Sequence, residues 1–261
     1  MSQESMMDVV QYNRTAWDRE AEKGNRWTLP VTPEQVAEAR NGPLKVVLTP
    51  QKLVPETWLG PIEGRDVLGL ACGGGQQMPL FAAAGARVTV IDNSPAQIAR
   101  DAEVAEREGL EITTALGDMG DLSRFPDASF DLIFHPVSNC FRPSIHEVWR
   151  EAHRVLRPGG RLLSGFCKPV LFLLDPEAEK EGRAELKFSL PYSDLDVSEA
   201  DRIRWFGDAP LCFAHSLEAQ IGGQIAAGLV LKDLFEDAAT GDDVMAKHMP
   251  AFMATWSQKP G

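Results

Sequence analysis

No run of 18 apolar residues, about the length a membrane-spanning helix requires, occurs anywhere in this chain. The first residues, Met1-Ser2-Gln3-Glu4-Ser5, carry neither a basic flank nor an apolar stretch, so a secretory leader is not expected. The four cysteines, Cys72, Cys140, Cys167 and Cys212, have no paired spacing, which argues against a zinc knuckle or a disulfide framework. Reduced thiols in a cytoplasmic, soluble protein are the expectation. Basic residues are scarce and scattered: 26 Lys and Arg stand against 38 Asp and Glu, a net charge of -12. Nonspecific nucleic-acid binding rests on clustered cations, so neither a nucleic acid nor a membrane is expected as partner. Internal repeats and low-complexity segments are also missing. What remains is a chain of 261 residues, 44% hydrophobic, long enough to bury one substantial α/β core with additions.

That core is organised around Val67-Leu68-Gly69-Leu70-Ala71-Cys72-Gly73-Gly74-Gly75. Apolar residues without alternation read as a parallel strand covered on both faces. The glycines read as a sharp turn whose amides a ligand can approach, and the apolar stretch from Met78 to Ala84, ending at Gly85, reads as a helix. Dinucleotides and S-adenosylmethionine both use such a cradle. The dinucleotide pattern G-x-G-x-x-G, started at Gly73, requires glycine at 78, where the chain has Met78. A nicotinamide oxidoreductase is thereby disfavoured. With Ala71, Gly73 and Gly75 the stretch resembles instead the first motif of class I S-adenosylmethionine-dependent methyltransferases. It departs from that motif at Gly69, where the family has an acid, and at Ala71, where it has its first glycine.

Arg87-Val88-Thr89-Val90-Ile91-Asp92 reads as the next strand, and Asp92 stands 20 residues after Cys72. At that interval a nucleotide-binding α/β unit places an acid for the ribose hydroxyls; the alternative is a carboxylate that caps a helix. Ser94-Pro95-Ala96-Gln97 opens a helix running to Gly109. A third strand ends in Gly117-Asp118-Met119, and Phe130 to His135 forms a fourth. Residues 143–157 have helical spacing and lead into Arg157-Pro158-Gly159-Gly160 before a fifth strand. His146 and His153, seven apart on that helix, suggest solvated side chains more than a metal site, and no metal is expected.

Taken together, these cues resemble the methyltransferase family over residues 65–166. The resemblance implies S-adenosylmethionine as cofactor, held by Leu70, Ala71, Cys72, Gly73 and Gly75 at the turn and by Asp92 and Asn93 at the second strand. It assigns Asp118 and Met119 to the adenine edge and face, and Asp131 to a structural anchor. His135 and Pro136 fall where the family places its variable chemistry; the absence there of an Asn-Pro-Pro-Tyr-like sequence argues against nucleobase or glutamine amide acceptors. His135 is the candidate general base. Tyr12 and Trp17 lie in a segment similar to the N-terminal part of small-molecule methyltransferases, where an aromatic closes over the cofactor; ordinary packing is the alternative.

The expected fold is one domain, 1–261, holding a doubly wound, mostly parallel seven-stranded sheet whose last strand is antiparallel. Residues 1–64 form a helical cap, with helices from about 6 to 23, after Thr32-Pro33, and from Thr49-Pro50 to near Pro55. Residues 65–166 form the core, 168–215 a charged, proline-interrupted insertion, and 216–261 a final helix and two strands. The expected function is methyl transfer to a small molecule, with non-catalytic binding of S-adenosylmethionine or S-adenosylhomocysteine as the alternative. Cap, insertion and the loop from His135 to Phe141 are expected to enclose the acceptor.

Overall fold

The computed structural model describes residues 7–239 and 244–261; Met6, the first residue of the expected N-terminal helix, lies outside them. Among the described residues, β1 (Asp66–Leu70), β2 (Arg87–Asp92), β3 (Ile112–Leu116), β4 (Phe130–His135), β5 (Leu156–Cys167), β6 (Val230–Asp237) and β7 (Phe252–Gln258) form one seven-stranded sheet in the order β3-β2-β1-β4-β5-β7-β6. Strands β1 to β5 pair in parallel, and β7 lies antiparallel between β5 and β6. This is the doubly wound sheet with an antiparallel last strand that the sequence implies.

Helices α1 (Val9–Lys23) and α2 (Pro33–Asn41) precede the sheet, and the single turn α3 (Glu56–Leu59) leads into it. α4 (Gln77–Ala83), α5 (Pro95–Glu108) and α6 (His146–Val155) alternate with the strands. α7 (Pro176–Lys180) and α8 (Glu199–Phe206) are short, as the prolines and charges of 168–215 dictate, and α9 (Gly223–Ala226) follows a π-turn at Glu218–Gly222. Local chemistry sets the starts. Thr32 and Gln35 exchange both bonds of a capping box before α2, and Ser94 Oγ accepts from the Gln97 amide, 3.1 Å away, before α5.

Strand pleating sends successive residues to opposite faces. Val67, Val88, Val90, Leu132 and Phe134 pack beneath α4, α5 and the cap residues Val46, Leu48 and Trp58. Leu68, Leu70, Ile91, Ile133 and Leu162 pack against Val148, Trp149 and Ala152 of α6. With both faces covered, the continuous apolar reading of β1 is explained. Asp131 anchors strand starts as expected: its carboxylate accepts from the Asp66 amide at 2.9 Å and pairs with Arg157 at 2.9 Å.

One cap helix is not where the sequence placed it. Residues 47–53 form a turn closed by an antiparallel bridge between Val47 and Leu53. The Asp237 carboxylate, at the end of β6, accepts from Thr49 Oγ1 (2.8 Å) and from the amides of Gln51 (2.8 Å) and Lys52 (2.9 Å). Thr49 therefore bonds across to β6 instead of capping a helix, and the helical turn begins only at Glu56.

Candidate active site

The C-terminal ends of β1, β2 and β4 meet the glycine turn at a cavity of about 450 Å³. In open α/β sheets, ligands bind at this edge. Its sheet-side wall is Ala71, Cys72, Gly73, Asp92, Asn93, Asp118 and Met119, all expected site residues, with Pro136 beside them. Ala71 has a positive φ of 47°, and Gly74 and Gly75 have φ of 104° and 67°, so the turn uses left-handed backbone where glycine is favoured. A side chain at Gly73 would meet Gln97 Cβ at 2.7 Å.

Asp92 is held by its own backbone surroundings. Its Oδ2 accepts from the Gly73 amide and its Oδ1 from the Ser94 amide, both at 2.9 Å. Withdrawal from solvent pushes its carboxyl above the usual range while the amides pull it back. Asp118 pairs with Arg142, which also lines the cavity, and its Oδ1 accepts from the Gly120 amide at 2.6 Å. Burial lowers the Arg142 guanidinium from its ordinary value. Nothing local in the sequence marked Arg142, because its partner lies 24 residues away.

The departure from the family motif at Gly69 has a packing cause. A Cβ at Gly69 would meet Met78 Cγ at 2.5 Å and Sδ at 2.7 Å, and Met78 is fully buried. Met78 fills the space that an acid at 69 would need. Beneath the turn a different acid appears: Asp101 of α5, fully buried, faces the Gly75 and Gly74 amides without either oxygen completing a well-formed hydrogen bond. Burial pushes its carboxyl well above the usual range. Sequence reasoning missed it; a lone Asp at an apolar helix position was the available signal.

The other wall comes from distant segments. α1 contributes Val10, Asn13 and Trp17, and the following turn contributes Trp27. The loop after β4 contributes Pro136, Ser138, Cys140 and Phe141; the stretch after β5 contributes Leu171, Phe172 and Cys212. Trp17 packs edge-on against Phe141, ring centroids 5.0 Å apart. Buried Asn13 fastens all three segments: its amide nitrogen donates to the carbonyls of Phe141 (2.9 Å) and Leu211 (3.1 Å), and its oxygen accepts from the Leu211 amide (2.7 Å). Cap, loop and insertion thus gather over the sheet edge, as expected. Asn93 also serves this join, since its side chain donates to the Val10 carbonyl at 2.7 Å and accepts from Arg14.

Four expected residues do not line the cavity. Tyr12 points to the insertion, where its hydroxyl accepts from Arg202 at 2.8 Å and its ring packs with Leu211 and Phe213. The Gly75 carbonyl accepts from Val31 at 2.9 Å, tying the turn to the cap. Leu70 is core, and its carbonyl accepts from His135 Nδ1 at 2.8 Å. His135 itself is fully buried, with its Nε2 2.8 Å from the Asn139 side-chain amide, which in turn reaches Gln220 at 2.8 Å. Burial lowers its pKa from 6.5. Nδ1 donates to the Leu70 carbonyl and Nε2 faces Asn139 Oδ1, while the Asn139 amide nitrogen donates to Gln220 Oε1, so both ring nitrogens are engaged. In this structure His135 braces the loop and does not line the cavity.

The cysteines also assemble in a way that spacing does not reveal. Cys140, Cys167 and Cys212, from three separate segments, line one end of the cavity, and the Cys140 thiol contacts the other two. Contact with Cys167, contact with Cys212 and burial push the Cys140 thiol well above its ordinary range. It stays protonated at neutral pH. No histidine lines the cavity, and among the described residues no three His, Cys, Asp or Glu side chains are arranged to hold a metal ion.

Residues 68–164 match the methyltransferase domain family. Over 256 residues, 97% of this chain and 100% of the relative, the sequence is 45% identical to the uncharacterized methyltransferase YbaJ of Bacillus subtilis (strain 168). The fold is similar to that of an S-adenosylmethionine dependent methyltransferase from Mesorhizobium loti, with a TM-score of 0.59, 19% identity, and coverage of 78% of this chain and 95% of that one. It is also similar to Burkholderia thailandensis 1,6-didemethyltoxoflavin-N1-methyltransferase, solved with 1,6-didemethyltoxoflavin and S-adenosylhomocysteine bound; there the TM-score is 0.59 at 15% identity, covering 97% of this chain and 89% of that one. With a relative this similar from end to end, and a sheet of the same construction, the chain belongs to the class I S-adenosylmethionine-dependent methyltransferases.

Proposed function

We propose that this methyltransferase acts on a small molecule enclosed between the sheet edge, α1, the loop after β4 and the insertion, and that the whole chain works as one methyltransferase unit. The observation that carries this reading is a cavity in which the glycine turn and Asp92 form one wall and a thiol-rich, aromatic surface forms the other. The residues present suit the cofactor. Asp92, oriented by the Gly73 and Ser94 amides, offers its remaining acceptor capacity to ribose hydroxyls; Met119 offers an apolar face for the adenine. Asp118 is already paired with Arg142, and the remaining acceptor capacity of its carboxylate is what can take the adenine amine.

When bound, S-adenosylmethionine supplies a methyl group on a sulfonium, an already activated donor. The chain's own work is positioning and exclusion of water, which can supply up to about 7–11 kcal/mol of a barrier. Trp17 and Phe141 close the cavity from the cap side. With His135 turned away and the Cys140 thiol held protonated, the wall opposite the cofactor residues presents no histidine or carboxylate as a general base. The acceptor must therefore bring its own lone pair, as a neutral amine or an ionised thiol does. The net charge of -12 offers no track for a polyanion, and no described helix is long and apolar enough to cross a membrane. Calorimetry with S-adenosylmethionine and S-adenosylhomocysteine, followed by methyl transfer over a panel of amines and thiols, tests the reading. Cofactor binding without turnover of any acceptor in the presence of a broad metabolite extract would count against it.

A further inference from the structure

A second cavity, of about 210 Å³, lies inside the insertion and shares Leu171, Phe172 and Cys212 as a common wall with the first. Its remaining surface is Leu174, Pro176, Phe188, Phe206, Ala209 and Pro210, the partly exposed Glu179, and Tyr192 and Asp194 at one side. Those two polar groups are already satisfied. The Tyr192 hydroxyl donates to Asp194 Oδ1 at 2.5 Å, and Asp194 Oδ2 accepts from the Cys212 amide at 2.6 Å. An apolar ligand packed against that pair would strand neither its donor nor its acceptors, so the cost of leaving those buried polar groups unpaired does not arise. Phe188 and Phe172 already pack on the Tyr192 ring, with centroids 5.0 and 5.7 Å away, so the surface is aromatic.

The partition is slight. Leu171 and Phe172 belong to a 3-10 turn at Pro169–Phe172 in which no residue is fully buried, and Cys212 is only half-buried. A core wall would be held by close packing on every side; this one is held on one side only. The end of the first cavity that abuts it is lined by Cys140, Cys167 and Phe252.

From this continuity the geometry points to an extended acceptor: the second cavity receives the apolar or aromatic tail of the methyl acceptor, passed between Leu171, Phe172 and Cys212, while its nucleophilic end stays in the first. This rests on the methyltransferase reading above and specifies the substrate class as elongated and apolar at one end. Selectivity for tail length then resides in Phe188, Phe206 and Ala209, none of which touches the first cavity.

The test is binding of a homologous series of ω-phenylalkanols, from benzyl alcohol to 8-phenyloctanol, measured by calorimetry on the full chain with and without saturating S-adenosylhomocysteine. Affinity is expected to rise about fourfold per added methylene once the tail reaches the second cavity, and then to level off. Ala209→Phe should remove that rise for the long members while leaving benzyl alcohol within about twofold. Phe188→Ala should move the plateau to longer tails, so the idea remains testable if the filled variant folds poorly. A flat length profile in the natural chain, or an equal loss across all lengths in Ala209→Phe, overturns the assignment. Failure of S-adenosylhomocysteine to bind would instead strike the cofactor reading, and the profile measured without it still decides the tail site.

Discussion

The two walls of the cavity are made differently. On the sheet side, each contributor sits at the end of a strand or on the turn beside it: Ala71 to Gly73 after β1, Asp92 and Asn93 at β2, Asp118 and Met119 after β3. On the opposite side, Asn13, Trp17, Cys140, Phe172 and Cys212 come from α1, a loop and an insertion with little regular structure of its own. Parallel pairing fixes the first set, because register places every strand end at one edge. Contacts between segments far apart in the chain fix the second. The cofactor wall should therefore respond to local substitutions and the acceptor wall to loss of the ties between segments.

The largest effect should come from restoring the family's acid. Gly69→Asp must displace Met78 and buries a carboxylate in a filled site, and is expected to destabilise the fold by about 3 kcal/mol or more. Denaturant titration measures it. An unchanged midpoint would show that Met78 is not the reason for glycine at 69.

Next is Asp92→Ala, which should weaken S-adenosylhomocysteine binding by about 1.5–3 kcal/mol, the range for hydrogen bonds involving a charged group. Asp92 also orders Gly73 and Ser94, so affinity should be read against the melting temperature of the same variant. Calorimetry that gives natural affinity in a folded variant would remove Asp92 from the cofactor wall.

On the opposite wall, Asn13→Ala removes the bonds that fasten α1 to Phe141 and Leu211 and should cost about 1–3 kcal/mol of stability. Turnover should fall more than cofactor affinity does. A point change is cleaner than removing the helix, because Asp18 of α1 also accepts from Ser94 Oγ (2.6 Å) and the Ala96 amide (3.0 Å) at the start of α5. Equal losses of turnover and cofactor affinity would mean that the two walls are not independent.

The smallest expected change is a tilt with pH at Asp101. Its folded pKa lies above its unfolded one, so the favourable contribution of the protonated group is complete below the unfolded value, about 3.9, and is lost as pH rises through the folded one. Asp101→Asn cannot ionise. Its melting temperature relative to the natural chain should therefore climb as pH increases from about 4 to 8; a difference that stays constant over that interval would place the ionisation elsewhere.

Much of the sheet could be read in the chain. Arg87–Asp92 and Phe130–His135 have the predicted bounds, as does α5 between its Ser94 cap and Gly109, since apolar runs and caps act over a few residues. The turn at 47–53 was misread because Asp237, nearly two hundred residues on, supplies the acceptor that Thr49 was expected to be. The surroundings of His135 were hidden for a similar reason. Its place at a strand end suggested chemistry, whereas its burial and its bonds to Leu70 and Asn139 are visible only in three dimensions.

Composition, the absence of glycine at 78 and the ordered cues from Gly73 to Gly160 sufficed for the family, the sheet and the strand-end residues that line the cavity, because each depends on short-range geometry repeated at strand ends. The filling of position 69 by Met78, the meeting of Cys140, Cys167 and Cys212, the Arg142–Asp118 pair and the second cavity behind Phe172 depend on side chains from remote segments coming within a few ångströms. Packing sets such meetings, and packing is a property of the whole folded chain that no spacing along it encodes.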